Sequence, residues 1–127
     1  MRKRLKKKLA QRNSAMYFGI TRNGKTYPFT TFRRDTDLIT KIVIRKMVKW
    51  SRMFVSRRAV QQTTVSPTIK VSTVFLGLNH GFFCTTPILF ETMIFGGEHH
   101  MAMWRYTNIK KARAGHRKAL ALVTGSG

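Results

Sequence analysis

The side chains in this chain that could do chemistry are mainly cationic, and the chemistry open to them is the binding of phosphate. The 127 residues include 25 lysines and arginines against four acidic residues, which gives a formal net charge of +21 at pH 7. A chain this positive repels itself, and the repulsion destabilises the compact state unless a polyanion neutralises it. Lysines without acids cannot form the mixed-sign pairs of an ordinary solvated surface. The composition therefore favours a nucleic-acid partner that is bound in a salt-sensitive way.

The cationic residues are concentrated toward the N-terminus. Residues 1–65 hold 18 bases and two acids, whereas residues 66–127 hold seven bases and two acids. The bases of the first twelve residues are Arg2, Lys3, Arg4, Lys6, Lys7, Lys8 and Arg12. Like charges at helical spacing repel each other. We therefore expect residues 1–15 to form a basic arm whose cations contact phosphates.

A long amphipathic helix is expected to carry a second set of cations. Asp35 and Asp37 are good N-cap residues, and they predict a helix that runs to about Arg58. At 100° per residue, seven apolar residues share one broad face. They are Ile39, Ile42, Val43, Met47, Trp50, Met53 and Phe54. The cations on the opposite face and at the C-terminal end of this helix are Lys41, Arg45, Lys49, Arg52, Arg57 and Arg58. We expect these side chains to extend the phosphate contact.

Two aromatic-rich segments near the N-terminus predict a β-hairpin. Residues 16–20 and 26–29 flank Asn23 and Gly24, a pair that favours a type I′ turn. Pro28 would restrict the second strand to a sheet edge. The aromatic residues of this hairpin are individually typical of a core, but exposed ones would suit stacking on single-stranded bases.

The second half of the chain predicts another hairpin and a closing helix. Residues 70–78 and 88–95 are rich in β-branched and aromatic residues, and they are predicted to form paired strands. Residues 61–69 are polar and interrupted by proline, so they are predicted to be a connection. Residues 109–123 predict a C-terminal helix. Lys110 and Lys111 are the residues of this helix that are expected to contact phosphates.

These elements predict a single α+β domain at residues 16–123, in a chain whose length suits one domain. The order is β-hairpin, long amphipathic helix, β-hairpin and C-terminal helix, with the basic N-terminal arm at 1–15 and a flexible tail at 124–127. The predicted core consists of Trp50, Phe54, Phe75, Leu78, Leu89, Phe90 and Leu120.

An enzyme interpretation would collect His80, Glu91 and His116 near one end of the sheet, with Glu91 or a histidine as general base. The sequence shows no nucleophile motif, no paired carboxylates and no glycine-rich phosphate loop. A lone acid among strands more often pairs with a neighbouring arginine, here Arg105. We therefore expect a protein that is not an enzyme and has no catalytic residues and no cofactor.

The single cysteine, Cys84, excludes an internal disulfide and fits a reducing cytoplasm. Together with His99 and His100 it offers metal-binding side chains, but the spacing matches no metal motif, so no metal is expected. No segment approaches the roughly 18 apolar residues of a membrane span, and the basic N-terminus lacks the apolar run of a secretory signal. A mitochondrial presequence is the alternative interpretation of residues 2–18, although Ser14 is the one serine or threonine among them.

Four short motifs follow one another in the second half: 71–80 (VSTVFLGLNH), 87–97 (PILFETMIFGG), 105–106 (RY) and 114–116 (AGH). In this order they resemble a family of small uncharacterised proteins encoded by tailed bacteriophages and prophages. The resemblance covers about residues 70–120, and the hairpin and Trp-containing helix that usually precede them in the family look similar to residues 16–58.

This resemblance implies an origin in a phage genome and a small α+β domain in the bacterial cytoplasm, and it supplies no established activity. Two departures weaken any transfer of function. Family members commonly carry Asp where this chain has Asn79, and acids in the last helix where it has lysines. The lysines concerned are Lys110, Lys111 and Lys118.

The leading hypothesis is electrostatic binding of RNA or of a host ribonucleoprotein. No zinc-finger spacing or helix-turn-helix pattern indicates a DNA regulator that reads sequence. One alternative is a phage inhibitor that docks through aromatic surface on a host protein or protein–RNA complex. Another is a structural protein that neutralises DNA packaged in a virion. The sequence leaves the oligomeric state open.

Overall fold

The computed structural model describes residues 16–29, 38–81 and 86–125, with the side chains of residues 38–44 left out. It confirms the α+β class, with two helices and two antiparallel sheets in these ranges. In chain order the elements are β1 (Phe18–Ile20), β2 (Thr26–Pro28), α1 (Leu38–Arg57), β3 (Ala59–Ser66), β4 (Ile69–Phe75), β5 (Phe90–Phe95), β6 (Met103–Tyr106) and α2 (Ile109–Thr124). The predicted N-caps of α1, Asp35 and Asp37, lie outside the described residues.

The N-terminal hairpin is present, but its turn differs from the predicted one. Strands β1 and β2 pair antiparallel, and the N–H of Gly24 donates to the carbonyl of Thr21 at 3.0 Å. Among the described residues other than glycine, Met101 alone has a positive φ, so φ is negative at Asn23 and the left-handed residue is Gly24, at 86°. A type I′ turn needs positive φ at both central residues. The prediction of that turn is therefore wrong, because one glycine suffices to close the longer loop.

The second sheet has four strands in the order β3-β4-β5-β6, and each pairs antiparallel with its neighbour along the chain. The predicted pair of strands is its centre, β4 and β5. The prediction that residues 61–69 are a connection is wrong, because most of them form edge strand β3. An edge strand can be polar, and Thr63, Thr64 and Val65 are β-branched residues that suit it. Pro67 lies in the tight turn that follows.

The sheet packs on one face against α2, which contacts all four strands. The buried residues of this core form two clusters, Phe18, Ile20, Phe75, Leu89, Phe90 and Ala112 in one, and Val71, Ile94 and Ala119 in the other. Of the predicted core, Phe75, Leu89 and Phe90 are buried, while Trp50, Phe54, Leu78 and Leu120 are partly buried. The N-terminal hairpin supplies Phe18 and Ile20, which the prediction omitted.

Helix α1 packs against β1. The indole N–H of Trp50 donates to the carbonyl of Phe18 at 2.8 Å, and the ring of Trp50 stacks on Phe54 with centroids 5.1 Å apart. Strand β1 is in turn attached to the segment after β4, because the N–H of Phe18 donates to the carbonyl of Gly77 at 2.8 Å. The hairpin therefore joins α1 to the sheet.

Helix α2 has a defined cap at each end. The side chain of Asn108 accepts a hydrogen bond from the N–H of Lys111 at 2.8 Å, as N-cap residues do. At the other end Gly125 has φ 70° and its N–H donates to the carbonyl of Ala121. The helix thus extends one residue past its predicted end, and residues 126–127 of the predicted tail lie outside the described range. Neither helix in the described ranges is long and apolar enough to cross a membrane.

Candidate nucleic-acid interface

The structure describes part of the predicted phosphate-binding set. The predicted residues that lie outside its described side chains are Arg2, Lys3, Arg4, Lys6, Lys7, Lys8, Arg12 and Lys41. Three cations of α1, Arg45, Lys49 and Arg52, are exposed. Their spacing of three and four residues places them on neighbouring turns of one helix face, as the sequence predicted.

The two arginines at the end of α1 differ in their surroundings. Arg57 is half-buried, and its guanidinium donates to the carbonyl of Ile20 at 2.7 Å, which attaches the end of α1 to β1. Arg58 is exposed and lies over the ring of Phe54, 5.9 Å from its centroid. Arg58 therefore presents its charge to solvent, whereas part of the hydrogen-bonding capacity of Arg57 serves the fold.

The exposed side of α2 carries five cations and no acid. They are Lys110, Lys111, Arg113, Arg117 and Lys118. The buried residues Ala112, Gly115, His116 and Ala119 define the face that packs on the sheet. At 100° per residue, Lys110 and Arg117 point away from that face, and Lys111 and Lys118 lie together along one flank. Lysine and arginine thus cover the solvent side of the helix.

The tip of the N-terminal hairpin adds cations beside the start of α2. Gly24 lies so close to Ile109 that a Cβ added to it would come within 2.7 Å of the isoleucine side chain. Arg22 and Lys25 flank this contact and are both exposed. The sequence predicts a turn at residues 21–25 but not this proximity, because a contact between residues so far apart along the chain leaves no local signal.

A groove of about 570 Å³ runs between α2 and the edge strand β6. Trp104 and Tyr106 of β6 line one side, and Lys111, Lys118 and Leu122 of α2 line the other. Trp104 is 40% exposed, although its strand partner Thr92 is fully buried. Strand β6 is absent from the elements predicted from the sequence, although the alternation of Trp104 and Tyr106 with Met103 and Arg105 is a usable signal.

The residues of the enzyme interpretation are not brought together. Glu91 pairs with Arg105 at 3.0 Å, which confirms the arginine pairing that the sequence favoured. Glu91 neighbours Thr92 on β5 and so points to the sheet face opposite α2. His116 belongs to α2, lies on the face of that helix that packs on the sheet, and is fully buried. The N–H of His80 donates to the carbonyl of Ile88 at 3.0 Å, in the segment before β5.

The imidazole of His116 belongs to a hydrogen-bonded chain that otherwise consists of threonine hydroxyl groups. Its Nε2 lies 2.9 Å from Oγ1 of Thr63, and its Nδ1 lies 2.7 Å from Oγ1 of Thr73. Oγ1 of Thr73 is also 2.6 Å from Oγ1 of Thr92. Burial removes the imidazole from water and thereby lowers the pKa of His116. A neutral imidazole, with one donor and one acceptor nitrogen, is satisfied here.

The histidines considered for metal binding, His99 and His100, lie in the turn between β5 and β6. Nδ1 of His100 accepts a hydrogen bond from the N–H of Gly96 at 2.7 Å. Within the described residues, no three His, Cys, Asp or Glu side chains are grouped as a metal site would need. Cys84, the third residue of that interpretation, lies outside them.

The motifs behind the phage-family resemblance fall mainly on packed structure. Those at 71–80, 87–97 and 105–106 include most of β4, all of β5 and the end of β6, and 114–116 includes the buried Gly115 and His116. The residues of these motifs therefore belong to the packed core more than to an exposed binding surface. Comparisons with protein families, curated proteins and solved structures found no match to this chain.

Proposed function

We propose that this protein binds nucleic acid, with RNA or a ribonucleoprotein favoured over DNA, and that it does so mainly through phosphate contacts. The observation that carries the proposal is the solvent side of α2, which bears five cations and no acid. An ordinary solvated helix mixes both signs of charge. A surface of one sign attracts a polyanion and loses affinity steeply as salt increases.

The position of these cations along α2 argues for a function other than stability. Lys110 and Lys111 lie in the first turn, and the last turn holds no base. The first turn carries the positive end of the helix dipole, so each cation there opposes it at a cost of about 0.3–1 kcal/mol. A phosphate bound at this end of the helix is negatively charged, so its own interaction with the helix dipole would be favourable. Arg22 and Lys25 at the neighbouring hairpin tip increase the same local positive potential.

The proposed setting follows from the family resemblance. We place the protein in the cytoplasm of a phage-infected or prophage-carrying bacterium, where RNA and ribonucleoproteins are abundant polyanions. The basic arm at residues 1–15 and the exposed cations of α1 would add phosphate contacts to those of α2. On this proposal the protein contacts the backbone and shape of its target more than its base sequence.

Salt dependence of RNA binding tests the proposal. Binding of a structured RNA should give a straight line of log K against log salt, with a negative slope of about 0.7–0.9 in magnitude per phosphate contacted. The double variant Lys110→Gln/Lys111→Gln should lower the magnitude of this slope by about 1.4–1.8. Lys70→Gln is the control, because Lys70 is exposed and alternates along β4 onto the face opposite α2.

The control should keep the wild-type slope. If the slope and affinity of the double variant equal those of the wild type, α2 is not part of the RNA interface. Wild-type protein that fails to bind RNA or DNA at low salt would contradict the proposed function as a whole.

A second candidate function, docking on a host protein, is favoured by exposed apolar side chains on β5, β6 and the turn between them. Phe95, Met101 and Met103 are 41%, 57% and 43% exposed. Clustered apolar exposure of this kind is typical of interaction surfaces. Affinity capture from host lysate with and without nuclease distinguishes the two functions. A complex that survives nuclease is held by protein contacts, and a complex that dissociates is held by nucleic acid.

A further inference from the structure

We propose that the groove between α2 and β6 binds an unstacked base of single-stranded nucleic acid, with the base against Trp104 and the flanking phosphates on Lys111 and Lys118. This inference rests on the proposed function and adds a specific site to it. Proteins that bind single strands combine cations that follow the backbone with aromatic rings on which bases stack. The groove offers both.

Trp104 is the aromatic surface of this site. It alternates along β6 onto the same face of the sheet as α2, yet 40% of it is exposed. Its neighbour Tyr106 is half-buried and also lines the groove. An indole left at the open side of an apolar groove presents a large flat ring to solvent, and a stacked base would cover that ring.

Small residues on α2 keep the groove open. Gly115 is buried beneath Tyr106, and a Cβ at this position would overlap the tyrosine hydroxyl. Ala114 and Ala119 also line the groove and project little from the helix. The resulting volume of about 570 Å³ lies within the range of roughly 300–1,000 Å³ found for ligand sites.

The charges of the groove select an anionic ligand. Lys111 and Lys118 both line it and are exposed, and no acidic side chain lines it. They are two helical turns apart, or roughly 10 Å at 1.5 Å per residue, so the two cations lie at separate points along the groove. Flat apolar surface between two cations complements a base between two phosphates. A duplex cannot present its bases in this way, because they are paired and stacked.

Binding of fifteen-residue oligonucleotides tests the site, with oligo-U RNA, oligo-dT and a duplex of equal length as three separate ligands. Trp104→Ala should weaken binding of the single strands by about 5- to 150-fold, the range expected when one stacked base is lost. Trp104→Phe keeps an aromatic ring and should retain most of the affinity. Duplex affinity should be equal in all three proteins.

Tryptophan fluorescence provides a measurement on the unsubstituted protein. Stacking of a base on Trp104 should quench the emission when oligo-U or oligo-dT saturates the protein, and the duplex should quench it less. The quenching should disappear in Trp104→Phe, where Trp50 is the remaining tryptophan. A stronger effect of Trp104→Ala on oligo-U than on oligo-dT would assign the site to RNA, and equal effects would assign it to single strands of either sugar.

The outcomes separate this inference from the proposed function. Wild-type protein that binds none of the three ligands contradicts the proposed function and the site together. Suppose that the wild-type protein binds these ligands, but its emission is not quenched and Trp104→Ala leaves the affinity unchanged. That result overturns the site alone. Equal losses for single strands and duplex in Trp104→Ala would likewise overturn stacking in the groove.

Discussion

At the scale of single residues, His116 is constrained by hydrogen bonds at both nitrogens of its ring. It is fully buried on the face of α2 that packs on the sheet, and both of its ring nitrogens contact threonine hydroxyls, of Thr63 on β3 and Thr73 on β4. An apolar residue there would remove the histidine partner of the Thr63 hydroxyl and leave the Thr73 hydroxyl with Thr92 alone. A buried polar group that is left unsatisfied costs about 1–3 kcal/mol. His116 therefore fixes the position of α2 over two strands.

The lowered pKa of His116 predicts that stability falls with pH below about 6.5, its ordinary value in an unfolded chain. Above that pH the imidazole is neutral in both states. Below it the unfolded chain takes up the proton first, which favours unfolding. His116→Gln keeps a donor and an acceptor but does not titrate, so it should lack this component.

Urea unfolding at pH 7.5 and pH 5.5 measures the difference. The control is His99→Gln, which removes a histidine from the turn between β5 and β6 and should keep the pH response of the wild type. Equal loss of stability at pH 5.5 in the wild type and in His116→Gln would contradict the assignment.

At the scale of elements, one glycine sets the approach of β5 to the turn between β3 and β4. Gly96 has φ 88°, and a Cβ there would overlap the backbone carbonyl oxygen of Thr68. Gly96→Ala is expected to lower the free energy of unfolding by several kcal/mol, because backbone must move as well as adopt a strained φ. Gly125→Ala is the matched control, since Gly125 also has positive φ, 70°, with open space around it.

The control should cost only the left-handed strain of about 1–2 kcal/mol. Both free energies come from urea or thermal unfolding. If the two substitutions destabilise the protein equally, the close approach of Gly96 to Thr68 is not a constraint on the fold.

The charges of α2 predict a conflict between stability and binding. Lys110→Glu places an acid in the first turn of the helix, where it should raise the free energy of unfolding by about 0.3–1 kcal/mol and weaken nucleic-acid binding. Lys118→Glu, nearer the middle of the helix, should weaken binding with a smaller effect on stability. Thermal unfolding and RNA titration measure both. A Lys110→Glu protein that is less stable than the wild type would contradict the dipole argument.

Local patterns predicted some elements and missed others for identifiable reasons. The amphipathic repeat of α1, the hairpin at its N-terminal side, the central strands and α2 all have strong periodic signals, and the structure has them. Strand β3 was missed because an edge strand can expose Gln61 and Gln62. Strand β6 was missed because it has four residues.

The candidate site was predictable in its charges but not in its shape. The cations of α2 follow from composition and helical spacing. The proximity of the hairpin tip to Ile109 and the groove beside Trp104 depend on packing between distant segments, which no local pattern encodes. His116 was noted as a residue of chemical interest, but the three threonine hydroxyls around it come from three different strands.

At the scale of the whole molecule, the net charge of +21 should limit stability at low ionic strength. Self-repulsion destabilises the compact state, and salt screens it over a Debye length of about 10 Å at 0.1 M. The unfolding temperature should therefore rise by several degrees between about 10 mM and 300 mM sodium chloride, and a saturating polyanion such as heparin should raise it at low salt. An unfolding temperature that is independent of both would show that the charge is too dispersed to affect stability.

The packing of the N-terminal hairpin on distant residues affects the order in which the chain folds. Sheet strands β3 to β6 each pair with the next one along the chain, so their contacts are local and form quickly. Phe18 and Ile20 instead belong to a cluster that is completed by Ala112. At roughly 5–20 residues per second, the ribosome adds that last member about 5–20 s after the hairpin. The hairpin is thus made first, and the cluster to which it belongs is complete only once Ala112 has been synthesised.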